Sequence, residues 1–122
     1  MKNKEMTIEA ALKMYPPTAE QQMVLDSGHK PSVSGVLIEL FARAMNTDPE
    51  TKEEWKADWA KKSQRKWMPV FYMDDNNGFS FDFSDCYVTS SSVGSRHCFE
   101  DEASSDYAAK AILDTWKDFI IQ

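Results

Sequence analysis

The chain has 122 residues, 42% hydrophobic and 28% charged, with seven Phe, four Trp and four Tyr. That length closes one hydrophobic core without disulfides or metals, and that aromatic content excludes an intrinsically disordered chain. A net charge of −6 repels phosphate backbones, so any nucleic-acid contact has to be concentrated on a local basic segment.

In chain order, Met1-Lys2-Asn3-Lys4-Glu5 is a polar lead, expected to be flexible, without the apolar core of a secretory signal. Thr7 is placed to cap a short helix carrying Ile8, Ala11, Leu12 and Tyr15, with Glu9 in its first turn and Pro16-Pro17 to end it. Thr18-Ala19-Glu20-Gln21 matches a capping box, in which the Thr hydroxyl and the Gln side chain each satisfy a free backbone amide; Gly28 suits the exit. Met23 and Val24 are the expected inward contacts of this second helix. The spacing of Val33, Val36, Leu37, Leu40, Phe41, Ala44 and Met45 predicts a third helix over 33–45, opened by Pro31-Ser32 and closed by Asn46. Asp48-Pro49 is a further opening signal, and Trp55 and Trp59 stand one helical turn apart, although regular helix over 50–62 stays open.

From Trp67 the helical spacing gives way to a β-rich run. Trp67 to Met73, the turn residues Asp74-Asp75-Asn76-Asn77-Gly78, and Phe79 to Phe83 read as a hairpin. Simple alternation puts Phe79, Phe81 and Phe83 on one face. A three-residue loop, Asn76-Asn77-Gly78, with Gly78 left-handed, would set Phe71 opposite Phe83 and Met73 opposite Phe81. The other face of the first strand, Met68, Val70 and Tyr72, is apolar as well and needs its own cover, for which the amino-terminal helices are the first candidate. Two shorter strands, Tyr87 to Ser90 and Arg96 to Phe99, are expected around the turn Ser91-Ser92-Val93-Gly94-Ser95. A long helix capped by Asp101 and running to about Ile120 closes the chain, with Ala103, Tyr107, Ala108, Ala111, Ile112, Trp116, Phe119 and Ile120 facing the sheet.

Charge is unevenly spread. Residues 51–66 carry six basic and three acidic groups, whereas 67–122 carry three and ten. The basic residues are Lys52, Lys56, Lys61, Lys62, Arg65 and Lys66. No run approaches the roughly 18 apolar residues of a membrane span. Cys86 and Cys98 have no metal-like spacing and are expected to stay reduced and buried in a cytoplasmic protein.

No pattern carries recognisable catalysis. The acidic turn fails as a calcium loop, because setting Gly78 sixth puts Met73 first, where an oxygen ligand is required, and Ser84 twelfth, where a bidentate Glu is required. His97 and Cys98 are neighbours on a predicted strand, so their side chains point apart. The glycines at 28, 35, 78 and 94 form no phosphate-binding loop.

Several positions together resemble a known pattern: Ala42-Arg43-Ala44-Met45-Asn46, Trp55 and Trp59, Trp67-x-Pro69-x-Phe71, Gly78-Phe79-x-Phe81, Val93-Gly94-Ser95-Arg96-x-Cys98-Phe99, and Tyr107-Ala108-x-Lys110 ahead of Lys117-Asp118-Phe119. Over roughly residues 35–120 the chain resembles a family of small proteins from gut Bacteroides-type bacteria and their phages, for which no activity is established. Its most specific part is Val93 to Phe99 with the Tyr107 helix. The resemblance implies a phage or mobile-element origin and no residue roles. Met68 and Val70 stand where the family has a further aromatic, and His97 where an aliphatic residue is usual.

These readings combine into one α+β domain spanning 1–122: short amino-terminal helices, a three- to four-stranded antiparallel β-meander, and a long carboxyl-terminal helix packed on the sheet. No cofactor, metal or membrane contact is expected. The leading functional expectation is a protein-interaction or accessory role with a protein partner or as a homodimer. Its candidate surface comprises Met68, Val70, Tyr72, Arg96, Lys61, Lys62, Arg65 and Lys66. The alternative is single-stranded nucleic-acid binding, with bases stacked on sheet aromatics and phosphates held by the basic 52–66 segment. An enzyme would need a cleft gathering His29 or His97 with a carboxylate or thiol.

Overall fold

The computed structural model of the chain describes residues 3–76, 78–87 and 96–121. Helix α1, Ile8–Met14, starts where Thr7 accepts the Ala10 amide, and ends ahead of the two prolines. In α2, Ala19–Ser27, both halves of the Thr18/Gln21 capping box form, and Gly28 takes a left-handed φ of 72° at the exit. Met23 does not turn inward: it is 73% exposed, and no residue of α2 is fully buried.

Helix α3, Lys30–Met45, begins three residues before the expected start, because extended His29 caps it and Pro31 fits its first turn. The later part of the expected stripe, Leu40, Phe41, Ala44 and Met45, is buried, together with Ser34, Ile38 and Ala42, whereas Val33, Val36 and Leu37 are only half-buried. Burial reaches this far round the helix because α3 is central, with α1, α2, α4 and α5 all packed on it. Beyond α3 the Asp48-Pro49 signal opens no helix. Asp48 Oδ1 instead accepts the amides of Glu50 and Thr51 in a local turn, Lys52 adopts a φ of 66°, and the chain to residue 65 is irregular.

Strands β1, Lys66–Asp74, and β2, Gly78–Tyr87, form an antiparallel ribbon, and among the described residues this is the whole sheet. Gly78 is left-handed, φ 74°, as expected, but the register differs by two residues: Met73 faces Phe79 and Phe71 faces Phe81. A bulge then leaves Asp82 unpaired, so Val70 faces Phe83. One extra residue inverts the alternation of the rest of β2. Phe83 therefore leaves the face of Phe79 and Phe81, and it is 49% exposed.

Among the described residues the sheet has two strands, not the expected three- to four-stranded meander. Residues 78–87 are one strand, so Tyr87 ends β2 instead of opening a third strand. In place of a strand over 96–99, Phe99 makes one antiparallel bridge to Trp67, with paired bonds of 3.0 and 2.8 Å, on the edge of β1 away from β2. The rest of the expected third strand, residues 88–90, and the expected turn at Ser91 to Ser95 lie outside the described residues.

The long carboxyl-terminal helix is also replaced by two. Helix α4, Glu102–Ala111, starts on Asp101, whose carboxylate accepts the Ser104 amide at 2.7 Å, and α5, Leu113–Ile121, follows a break at Ile112 (φ −125°, ψ 43°). A straight helix could follow either the sheet or α3. The break lets α4 lie on both strands while α5 packs chiefly along α3, driving Ile112 and Trp116 into the core beside Ile38, Phe41, Phe99 and Ala108. Ser104 and Ser105 are buried in place of Ala103 and Ala111, which are exposed. Among the described residues no helix is long and apolar enough to cross a membrane.

Candidate functional site

The register sorts the ribbon into two faces. Trp67, Pro69, Phe71 and Met73 share one with Phe79, Phe81, Ser84 and Cys86, and this face meets α4 and α5: Phe71 lies 5.3 Å from Trp116, ring to ring. Met68, Val70 and Tyr72 share the other with Phe83, Asp85 and Tyr87. The amino-terminal helices do not cover this outer face; α4 and α5 are the helices that pack on the sheet. Tyr72, Phe83 and Tyr87 are 54%, 49% and 45% exposed, while Met68 and Val70 are half-buried. The structure thus keeps Met68, Val70 and Tyr72 together and adds two aromatics that strict alternation hid.

The basic candidates divide. Lys61, Lys62 and Arg65 are exposed near the start of β1. Lys66 is fully buried, where its ammonium donates to the carbonyls of Lys61 and Gln64 at 3.2 and 3.1 Å and lies 5.1 Å above the Trp59 ring. It pins the irregular segment to the sheet instead of meeting solvent. Arg96 is elsewhere, reaching Glu39 on α3. Asp82 and Asp85 flank the exposed aromatics, an arrangement that repels a phosphate chain laid along this face.

Arg96 belongs to a feature that the periodicity did not reveal, a cleft of about 540 Å³ between α3, the irregular segment and residues 96–98. Trp55 and Trp59 line it with Glu39, Arg43, Glu54 and Lys56. Arg43 Nε and Nη2 donate to the two Glu54 carboxylate oxygens at 3.0 and 3.1 Å, and its guanidinium lies 3.9 Å from the Tyr15 ring centre. The Glu54 hydrogen bond raises the Arg43 pKa above its ordinary value. Arg96 is held only loosely, 3.5 Å from Glu39 with an 81% exposed side chain. The Trp55/Trp59 spacing was the available signal, but reading it as one helical turn conceals that the backbone there is irregular.

The cleft floor includes Asn46 and Cys98. Burial pushes the Cys98 thiol up to about 11, so it is protonated and a poor nucleophile near neutral pH. His29 Nδ1 is hydrogen-bonded to Ser32 Oγ at 2.8 Å. Ser84 Oγ donates to Asp106 Oδ1 at 2.6 Å and shares a 2.8 Å bond with the buried Ser105 hydroxyl, tying β2 to α4 without a histidine base. Among the described residues no group of three or more His, Cys, Asp or Glu side chains could hold a metal ion. At the turn, Asp74 Oδ1 accepts the Asn76 amide at 2.7 Å, the work of a turn residue.

His97 is a packing group. Its ring stands edge-on to Trp116 and Phe119, at 6.1 and 4.9 Å, and Nε2 lies 3.1 Å from the Gly35 carbonyl. Burial lowers its pKa below the ordinary 6.5, against the Gly35 carbonyl and Glu39, which pull upward. The unfolded chain then binds more protons between the two pKa values, so this contribution to stability is complete above pH 6.5 and is lost as the pH falls through the lower, folded value. Urea unfolding of the protein and of His97→Leu across that range should show stability falling on acidification, with this part of the slope absent in the variant. Equal slopes would remove the linkage.

No protein-family profile, curated protein or solved structure matches the chain.

Proposed function

We propose that the protein is an interaction module that pairs with a second copy of itself through the outer face of β1 and β2. The carrying observation is the uncovered cluster of Tyr72, Phe83 and Tyr87 beside Met68 and Val70. A two-stranded ribbon is marginal by itself, and burial of exposed aromatic surface is the main drive for association. Charge supports a second copy as the occupant. Lys61, Lys62 and Arg65 stand near one end of the ribbon, Asp74 and Asp75 at the other. A two-fold axis that sets two ribbons antiparallel lays each basic end against an acidic end. An accessory role of phage or mobile-element origin, the implication of the 35–120 resemblance, is compatible with such a module.

Sedimentation of the protein over a wide concentration range, beside Tyr72→Glu and Phe83→Glu, tests this reading. A dimer that loosens with salt and is lost in both variants is expected; both positions are exposed enough to leave the fold intact. A wild-type monomer at every concentration sinks it.

A further inference from the structure

We infer that the cleft between α3 and the irregular segment is a nucleotide site, taking an amino-bearing base and its phosphate, on the side of Trp55, Trp59 and Arg96. Its volume of about 540 Å³ lies within the range of about 300–1,000 Å³ typical of small-molecule sites. Three properties narrow the ligand class.

The first is charge. Arg43, Lys56 and Arg96 line the cleft against Glu39 and Glu54, a local excess of one positive charge in a chain whose net charge is −6. Arg43 is committed, since its forked pair with Glu54 uses both carboxylate oxygens. Arg96 is not: its contact with Glu39 is 3.5 Å, near the limit of a hydrogen bond, and most of its side chain is exposed. Exposed Lys56, on the irregular segment, is a second point charge lining the cleft. An anionic group with several oxygens is what a free guanidinium fork and an ammonium recognise together.

The second is shape. Two half-buried indoles on one irregular segment offer flat apolar surface to a planar ring, and base-on-aromatic stacking contributes on the order of 1–3 kcal/mol per base. The buried Lys66 ammonium lies 5.1 Å over the Trp59 ring, which helps hold that ring in place before a ligand arrives. The third is the acceptor set. A carboxylate has about four lone-pair positions, and Glu39 spends one on the loose Arg96 contact. It can take N–H donors from a base edge while Arg96 swings to the phosphate. A purely anionic ligand would be repelled by Glu39; one carrying N–H donors and a phosphate suits both ends.

The source can be a free nucleotide or a nucleotide unit in a single strand, and the two are separable. Tryptophan fluorescence of the full protein would be titrated with GMP, AMP, CMP and UMP, with guanosine, with inorganic phosphate, and with a short single-stranded oligonucleotide. Saturable quenching is expected with the amino-bearing mononucleotides, weaker with UMP, guanosine and phosphate alone. Arg96→Ala, which removes a mostly exposed side chain and leaves the core untouched, should weaken the mononucleotide by about tenfold and bring it close to guanosine. Trp55→Phe should remove part of the quench. An oligonucleotide that binds far more tightly than GMP, with the same Arg96 dependence, identifies strand binding; equal affinities identify the free nucleotide. No saturable binding of any of these at millimolar concentration, or binding unchanged in Arg96→Ala, overturns the site. Neither result bears on dimerisation, which is read separately by sedimentation.

Discussion

Replacing Trp116 with alanine should destabilise the protein by about 3–5 kcal/mol, the usual cost of emptying a buried tryptophan site. The side chain is only 4% exposed, its ring packs against Phe71 and His97, and its indole N–H donates to the Ala108 carbonyl at 3.2 Å. That carbonyl also accepts the Ile112 amide at the helix break, so the indole helps hold the junction between α4 and α5. The variant therefore loses core volume and a tie across the break together. Against a total of about 5–15 kcal/mol for a domain of this kind, the loss leaves little margin. Urea unfolding followed by circular dichroism measures it. Trp116→Phe should recover much of the loss, because it restores the ring against Phe71 without the donor. Ile120→Ala, on the exposed side of the same helix, should change stability far less. If Trp116→Ala and Ile120→Ala behave alike, α5 is not docked through Trp116.

Asn46→Ala should come next in size, at about 2–4 kcal/mol, although it removes only a small polar side chain. Asn46 is 5% exposed; its Nδ2 donates to the Cys98 carbonyl at 2.9 Å and its Oδ1 accepts the Glu100 amide at 3.0 Å. It thereby fastens the segment that carries Phe99 onto the end of α3. A buried backbone group deprived of its partner costs about 1–3 kcal/mol, and alanine deprives two. Asn46→Asp separates hydrogen bonding from volume: it keeps the acceptor for Glu100, loses the donor to Cys98, and places a carboxylate in a nearly solvent-free position. It should be no more stable than the alanine variant. A loss below about 0.5 kcal/mol for Asn46→Ala would mean that water replaces both bonds.

The parts legible in the sequence are those governed by local chemistry. Thr7, Thr18-Gln21, Gly28, Gly78 and Asp101 each act at a chain position through neighbours a few residues away, and each does what its residue type predicts. The features that escaped depend on distant partners. Nothing local marks Asp82 as the bulged residue; the bulge is a property of two strands, and it decides that Phe83 faces outward. Nothing near Ile112 breaks a helix either, since the surrounding residues are sound helix formers and the break exists because α3 and the sheet draw the two halves apart. For the candidate surfaces the division is the same. Alternation found Met68, Val70 and Tyr72, while a count of basic residues could not tell that Lys66 is enclosed by the segment it appeared to belong to. The cleft was invisible because it joins residues 39–59 to 96 and 98.

Asn3 sets the order in which this architecture can be completed. Its side-chain amide donates to the carbonyls of Ala44, Met45 and Thr47, at 3.1, 3.0 and 2.8 Å, doing from outside the helix what a terminal cap does from within. During synthesis Asn3 leaves the ribosome more than 40 residues ahead of the carbonyls it serves. The last turn of α3 can therefore be sealed as soon as residues 44–47 emerge, by a segment made long before, a closure that spans more than 40 residues of chain.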